Sequence, residues 1–191
     1  MESRRYFRTI VLSDIHLGTS HSKVEQVCNF LSTTDCDRLI LNGDIIDGWS
    51  LQKFGSGKWK PQHTRFFKII MKMMENCGTE VIYIRGNHDD FIDNLAPLKF
   101  ATLSIVKEYM LESNGKHYFV THGDVFDKVT NSDEMARQTG RYRLYAAALA
   151  EQSVQPLAYQ AGQALLFAFS GNQAESEIGC FVYLRLRKGA G

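Results

Sequence analysis

Apolar and polar positions along the chain fall into short blocks that stop abruptly. Four runs, Thr9 to Ser13, Arg38 to Leu41, Val81 to Ile84 and Tyr118 to Val120, are rich in the β-branched and aromatic types that fill buried strands. Between them the hydrophobic period lengthens. Lys23 to Leu31 reads as one helix and Pro61 to about Asn76 as another. Pro61 suits a first helical turn, and Phe66, Phe67, Ile70, Met73 and Met74 recur at three- and four-residue spacing, a stripe that reads as core packing. This alternation of strand and helix predicts an α/β fold. Further on, Met110 to Glu112 and His117 to Val120 flank Ser113-Asn114-Gly115-Lys116, where Asn-Gly signals a tight hairpin, so the later half begins an antiparallel or mixed sheet.

The pattern then changes. Asn131-Ser132-Asp133 offers N-cap side chains to a segment, ending near Gln152, that is rich in Ala, Leu, Glu, Gln and Arg and predicts a long helix. Leu157 to Phe169 is apolar except for Gln160 and Gln163. It is too short to span a bilayer and reads as a buried or interfacial helix. Cys180 to Arg187 alternates with a period of two, as one terminal strand would, and Lys188 to Gly191 reads as an unstructured tail. The expected organisation is one domain over 1–191, with 131–170 as a helical cap and 171–191 as a poorly assignable end.

Each of the four strand-like runs stops at a polar cluster: Asp14-Ile15-His16, Gly43-Asp44-Ile45-Ile46-Asp47, Gly86-Asn87-His88-Asp89 and Thr121-His122-Gly123-Asp124. The C-terminal edge of an open α/β sheet is where ligands gather, because the loops leaving it share one crevice. A single cluster of this kind is ordinary turn polarity by roughly three to one. Four at equivalent places point to a metal site. Carboxylates, imidazoles and an amide oxygen form a mixed hard and borderline set suited to Mn²⁺, Fe²⁺, Zn²⁺ or Co²⁺. The two oxygens of Asp44 can bridge two cations about 3.5–4 Å apart, the separation used to activate water for in-line phosphoryl displacement.

Composition narrows the partners. At 191 residues, 44% hydrophobic and 23% charged, the chain has ordinary globular usage. A net charge of +1 provides no basic footprint, so duplex nucleic acid is not an expected partner. Cys28, Cys36, Cys77 and Cys180 form no C-x-x-C pair and read as buried thiols. The start, Met1-Glu2-Ser3-Arg4-Arg5, lacks the apolar stretch of a secretory signal, which predicts the cytoplasm. Neither a Gly-x-Ser-x-Gly elbow nor a Walker-type loop occurs, so serine esterase and nucleoside-triphosphatase chemistry fall away.

The order D-x-H, G-D-x-x-D, G-N-H-D, H-G-D resembles the calcineurin-like metallophosphoesterase superfamily over about residues 8 to 130. The strings Ser13 to Gly18 and Gly43 to Trp49 look like its bacterial branch related to UDP-2,3-diacylglucosamine diphosphatase. The resemblance implies a β-sandwich flanked by helices in αββα layers, with a helical cap insertion and an incomplete C-terminal part. It implies two divalent ions, manganese first among them, held by Asp14, His16 and Asp44 and by Asp44, Asn87 and His122. His88 would face the scissile phosphate and Asp47 would orient it, the pair acting catalytically. Gly48 stands where the superfamily's protein serine/threonine phosphatases carry an arginine, which argues against a phosphoprotein substrate. The implied activity is hydrolysis of a phosphoester or diphosphate by a metal-activated water, on a phosphorylated small molecule or a UDP-sugar glycolipid, with peripheral contact at the inner membrane. The superfamily's final G-H-x-H does not occur: no histidine follows His122, which implies a centre two ligands short and weak or absent activity. A catalytically impaired scaffold on the same fold, and a nuclease or cyclic-nucleotide phosphodiesterase, are the alternatives. Arg137, Arg141 and Arg143 lie within two turns of the cap; a solvated basic face is favoured by roughly two to one over guanidiniums that grip phosphate oxygens. His21, His63 and His117 match no position of the superfamily.

Overall fold

Strands buried on both faces need unbroken apolar runs, and three such runs lie side by side in a parallel sheet. They lie in β1 (Arg5–Leu12), β2 (Thr34–Asn42) and β3 (Glu80–Ile84), where Thr9 to Ser13, Leu39 to Asp44 and Val81 to Ile84 are buried at every consecutive position. The computed structural model describes residues 4–113, 116–122, 124 and 165–168. These fall into two compact units, one ending at Lys107 and one beginning at Glu108.

In the first unit the sheet has five strands in the order β1-β2-β3-β5-β4, where β4 is Leu98–Phe100 and β5 is Leu103–Val106. Only β4 runs antiparallel to its neighbour. The register pairs Leu12 with Leu41 and Asn42 with Ile84, so the first three strands end level and their loops leave from one edge. Helices α1 (Val24–Ser32) and α3 (Pro61–Cys77) supply Val27, Cys28, Leu31, Phe66, Ile70 and Met73 to a core. The sheet meets them with Ile10, Leu12, Leu39, Leu41, Val81 and Tyr83, alternate residues of one face. α3 starts at Pro61 as the proline predicts, and stops at Gly78, whose φ of 65° is the left-handed geometry of a helix end. This is the expected α/β arrangement, a parallel-rich sheet flanked by helices. A helix not anticipated from the sequence, α2 (Gly48–Phe54), follows the second polar cluster directly.

The second unit contains a three-stranded antiparallel sheet, β6 (Tyr109–Ser113), β7 (Lys116–Thr121) and β8 (Leu165–Ala168). Ser113 pairs with Lys116, which agrees with the expected hairpin around Asn114-Gly115. β8 corrects the helix expected over Leu157 to Phe169: Leu165–Ala168 pairs with Thr121 to Tyr118 as a strand. A four-residue apolar run has no diagnostic period, and a free sheet edge offers it backbone partners that an isolated short helix lacks. The cap helix from Asn131, Arg137, Arg141, Arg143 and the tail 171–191 lie outside the described residues. Cys28 and Cys36 are buried free thiols as expected, but Cys77, at the end of α3, is exposed. Among the described residues, no helix is long and apolar enough to cross a membrane.

Candidate metal centre

The loops that leave β1 and β2 begin with unusual backbone. Asp14, His16 and Asp44 have φ of 57°, 52° and 53°, the left-handed region that costs most non-glycine residues of order 1–2 kcal/mol. Aspartate and histidine are among the types that tolerate it best. Hydrogen bonds between the loops hold these conformations: Asp14 N donates to Gly43 O at 3.2 Å, His16 N to Asp44 O at 2.9 Å and Leu17 N to Ile45 O at 2.8 Å. Asp47 N returns a bond to Leu17 O at 2.8 Å, and Gly48 N reaches the third loop at His88 O, also 2.8 Å. Three loops are thus knitted together past the ends of their strands, which is how strained residues at a site are kept in place.

The side chains converge in an ordered way. Asp44 is 4% exposed; its Oδ1 accepts from His88 N at 2.9 Å, and its Oδ2 lies 3.7 Å from His16 Nε2 and 4.0 Å from His88 Nε2. Asp47 takes the other side of both rings. Its Oδ2 is 3.5 Å from His16 Nδ1 and 3.3 Å from His88 Nδ1, while its Oδ1 caps α2 by accepting from Ser50 N at 2.7 Å. A carboxylate facing Nδ1 favours the tautomer whose Nε2 carries the lone pair, the form that binds metals. Burial is the main cause that pushes the His16 imidazole below its ordinary value, outweighing the carboxylates of Asp44, Asp14 and Asp47, so the ring is neutral near pH 7. Asp14 Oδ1 adds a further oxygen 4.0 Å from His16 Nε2.

His16, Asp44 and His88 bring ligand atoms within 4.8 Å of one another. Separations of 3.7–4.0 Å are too long for hydrogen bonds but suit atoms that each lie about 2.0–2.2 Å from a common ion. The donor set therefore fits a divalent cation. His88, expected to face the phosphate, is geometrically a member of this cluster. Asn87 follows β3, half-buried, and His122 follows β7 in the second unit with 8% exposure. His21 is exposed.

Two supports were not legible from residue types. Asp89, fully buried, accepts from Gly86 N, from Ile45 N at 3.0 Å and from Tyr83 Oη at 2.7 Å, joining the second loop to the third. Burial raises its carboxyl above the ordinary value, against the three bonds that favour the charged form. Its position in G-N-H-D was the one available signal. Trp49, half exposed at the start of α2, sets its ring 4.3 Å from that of His88. Gly48 is confined from two sides, since a Cβ there would come 2.8 Å from Phe91 Cδ1 and 2.9 Å from His88 O. Gly48→Ala is expected to cost about 1–3 kcal/mol of stability by overpacking. Urea unfolding measures it, and an unchanged midpoint would show that Phe91 and the third loop yield freely.

A family model described as calcineurin-like phosphoesterase matches residues 7–163. UDP-2,3-diacylglucosamine hydrolase of Salmonella agona (strain SL483) is 26% identical over 121 residues, covering 61% of this chain and 48% of that protein. The protein of the same name from Photorhabdus laumondii subsp. laumondii is 25% identical over 119 residues, with the same coverage. The chain thus spans about half the length of the curated relatives it matches.

Proposed function

The chain belongs to the calcineurin-like phosphoesterase family, and from that premise we propose that it is a metal-dependent hydrolase of a phosphoester or diphosphate bond. What carries this reading is the arrangement of two imidazoles between two carboxylates, with both Nε2 atoms turned to Asp44 and both Nδ1 atoms turned to Asp47. Asp14, His16 and Asp44 would hold one divalent cation, and Asp44, Asn87 and His122 a second, with manganese the first candidate. When bound, such a pair lowers the pKa of a water and polarises phosphoryl oxygens. The residues then divide the work. Asp44 would be shared by both cations, and Asp47, whose Oδ2 lies 3.3 Å from His88 Nδ1, would orient that ring. His88 Nε2 is left to stabilise developing charge or to protonate the leaving oxygen. A substrate of the type named by the relatives, a UDP-linked acylated sugar, fits the proposed diphosphate chemistry. Arg137 and Arg141, in the segment expected as a cap, are proposed to contact its phosphates.

The test is an Mn²⁺ titration by calorimetry alongside Mn²⁺-dependent turnover of an aryl phosphodiester. Saturable binding with turnover supports the hydrolase. Binding without turnover, or no binding, favours a scaffold, and preference for a cyclic nucleotide or a nucleic acid would redirect the substrate class. Because no histidine follows His122, appending a homologous segment that contains G-H-x-H is expected to raise Mn²⁺ affinity and turnover together. Equal values with and without the segment would mean that another group already completes the site.

A further inference from the structure

His63 corresponds to no motif, yet it is 1% exposed and sits beneath the first metal loop. Its Nδ1 accepts two backbone hydrogen bonds, one from Gly18 N and one from Lys60 N, both at 3.2 Å. Lys60 is the N-cap of α3 and His63 its third residue, so the ring reaches back to the cap amide as a glutamate does in a capping box. The same nitrogen also holds the amide two residues beyond His16. Trp59 closes the ring edge-on, with centroids 5.1 Å apart, and its Nε1 donates to Thr64 Oγ1 at 2.9 Å.

We propose that His63 is a positioning residue for the metal centre: its Nδ1 clamps the loop that carries Asp14 and His16 to the start of α3, and so sets how tightly the site holds a divalent cation. This rests on the reading of that site as cation-binding. The physical reason lies in the strained loop. Left-handed residues such as Asp14 and His16 persist only where the surroundings over-determine them, and loss of the Nδ1 acceptor strips Gly18 N and Lys60 N of their shared partner. Ordering contacts around metal ligands are worth about 10–100-fold in affinity.

The clamp needs a neutral ring, because a protonated Nδ1 donates and cannot accept. Burial, and then the charge of Lys60, hold this imidazole below the ordinary histidine value of 6.5. On α1 the Cys28 thiol donates to the backbone of the residue preceding His63, Gln62 O, at 3.8 Å, and burial raises that thiol above its ordinary value. A lowered folded pKa means that the contribution of His63 is complete above about pH 6.5 and is lost as pH falls through the lower folded value.

The experiment compares the native chain with His63→Ala and His63→Asn, whose amide oxygen stands where Nδ1 does but does not titrate. Mn²⁺ affinity is read by calorimetry at about pH 7.5 and about pH 5.5, and Gly18 amide exchange is read in the metal-free chain. His63→Ala is expected to weaken Mn²⁺ binding about tenfold and to speed Gly18 exchange by a similar factor. His63→Asn is expected to restore both near pH 7.5 and to lose less affinity than the native chain on acidification. The rest of the site is identical in both chains, so the difference between them reports His63. Native-like affinity in His63→Ala, or equal damage from both substitutions, overturns the clamp. If His63→Ala does not fold, His63→Asn decides alone, and superimposable pH profiles overturn the proposal. A native chain that takes up no Mn²⁺ overturns the reading of the site and the proposal together, an outcome distinct from a native chain that binds while His63→Ala binds equally well.

Discussion

An Asp44→Asn chain is expected to lose Mn²⁺-dependent hydrolysis more completely than a chain altered at any other proposed ligand. The substitution is nearly isosteric, and asparagine tolerates the left-handed backbone that Asp44 adopts at φ 53°. Its amide oxygen can still accept from His88 N, so the loops are expected to stay in place. What disappears is the charge. Asp44 is the carboxylate proposed for both cations, and its Oδ2 is the atom toward which both imidazole Nε2 atoms converge. Loss of several kcal/mol of stabilisation at about 1.4 kcal/mol per tenfold corresponds to a fall on the order of 10³ in turnover. Calorimetry should show both binding events weakened, with an unchanged circular dichroism spectrum. Near-parental rates with Mn²⁺ would sink the bridging role.

For His88→Ala the expected result is a loss on the order of 10²–10⁴ in turnover with metal content largely retained. The argument rests on the Asp47 carboxylate oxygen 3.3 Å from Nδ1, proposed to orient the ring, and on the Trp49 ring 4.3 Å away and tilted by 34° to it. The competing outcome is concrete, because His88 Nε2 also lies 4.0 Å from Asp44 Oδ2, within the set able to ligate. If metal content falls in step with turnover, His88 is a ligand and not an acid. Measuring bound Mn²⁺ on the same samples as the rates separates the two.

β1, β2, β3, the β6–β7 hairpin, helices α1 and α3 and the four clusters were legible because each is carried by residue types and spacing within a short window. β1, β2 and β3 have apolar runs too continuous for an exposed strand, and α3 has both an N-terminal proline and a 3.6-residue stripe. Less local features escaped. α2 begins with Gly48, a weak helix former, and is set up by the Asp47 cap and by contact with the third loop. Leu165–Ala168 carries no period of its own and became a strand through pairing with β7. Cys77 is exposed although its residue type is usually buried.

Residue order by itself determined the α/β alternation, the polar clusters that follow the strands and the kinds of ligand atom they offer. Those follow from side-chain type and spacing, which short windows of sequence contain in full. Only the tertiary structure decided that His16 and His88 share Asp47 on one side and Asp44 on the other, that Asp89 ties two loops, and that His63 holds Gly18 from 45 residues away. Such contacts join residues whose separation along the chain is large. Their geometry is fixed by strand register and helix packing, and no local preference of His63 or Asp89 encodes which amide each will meet.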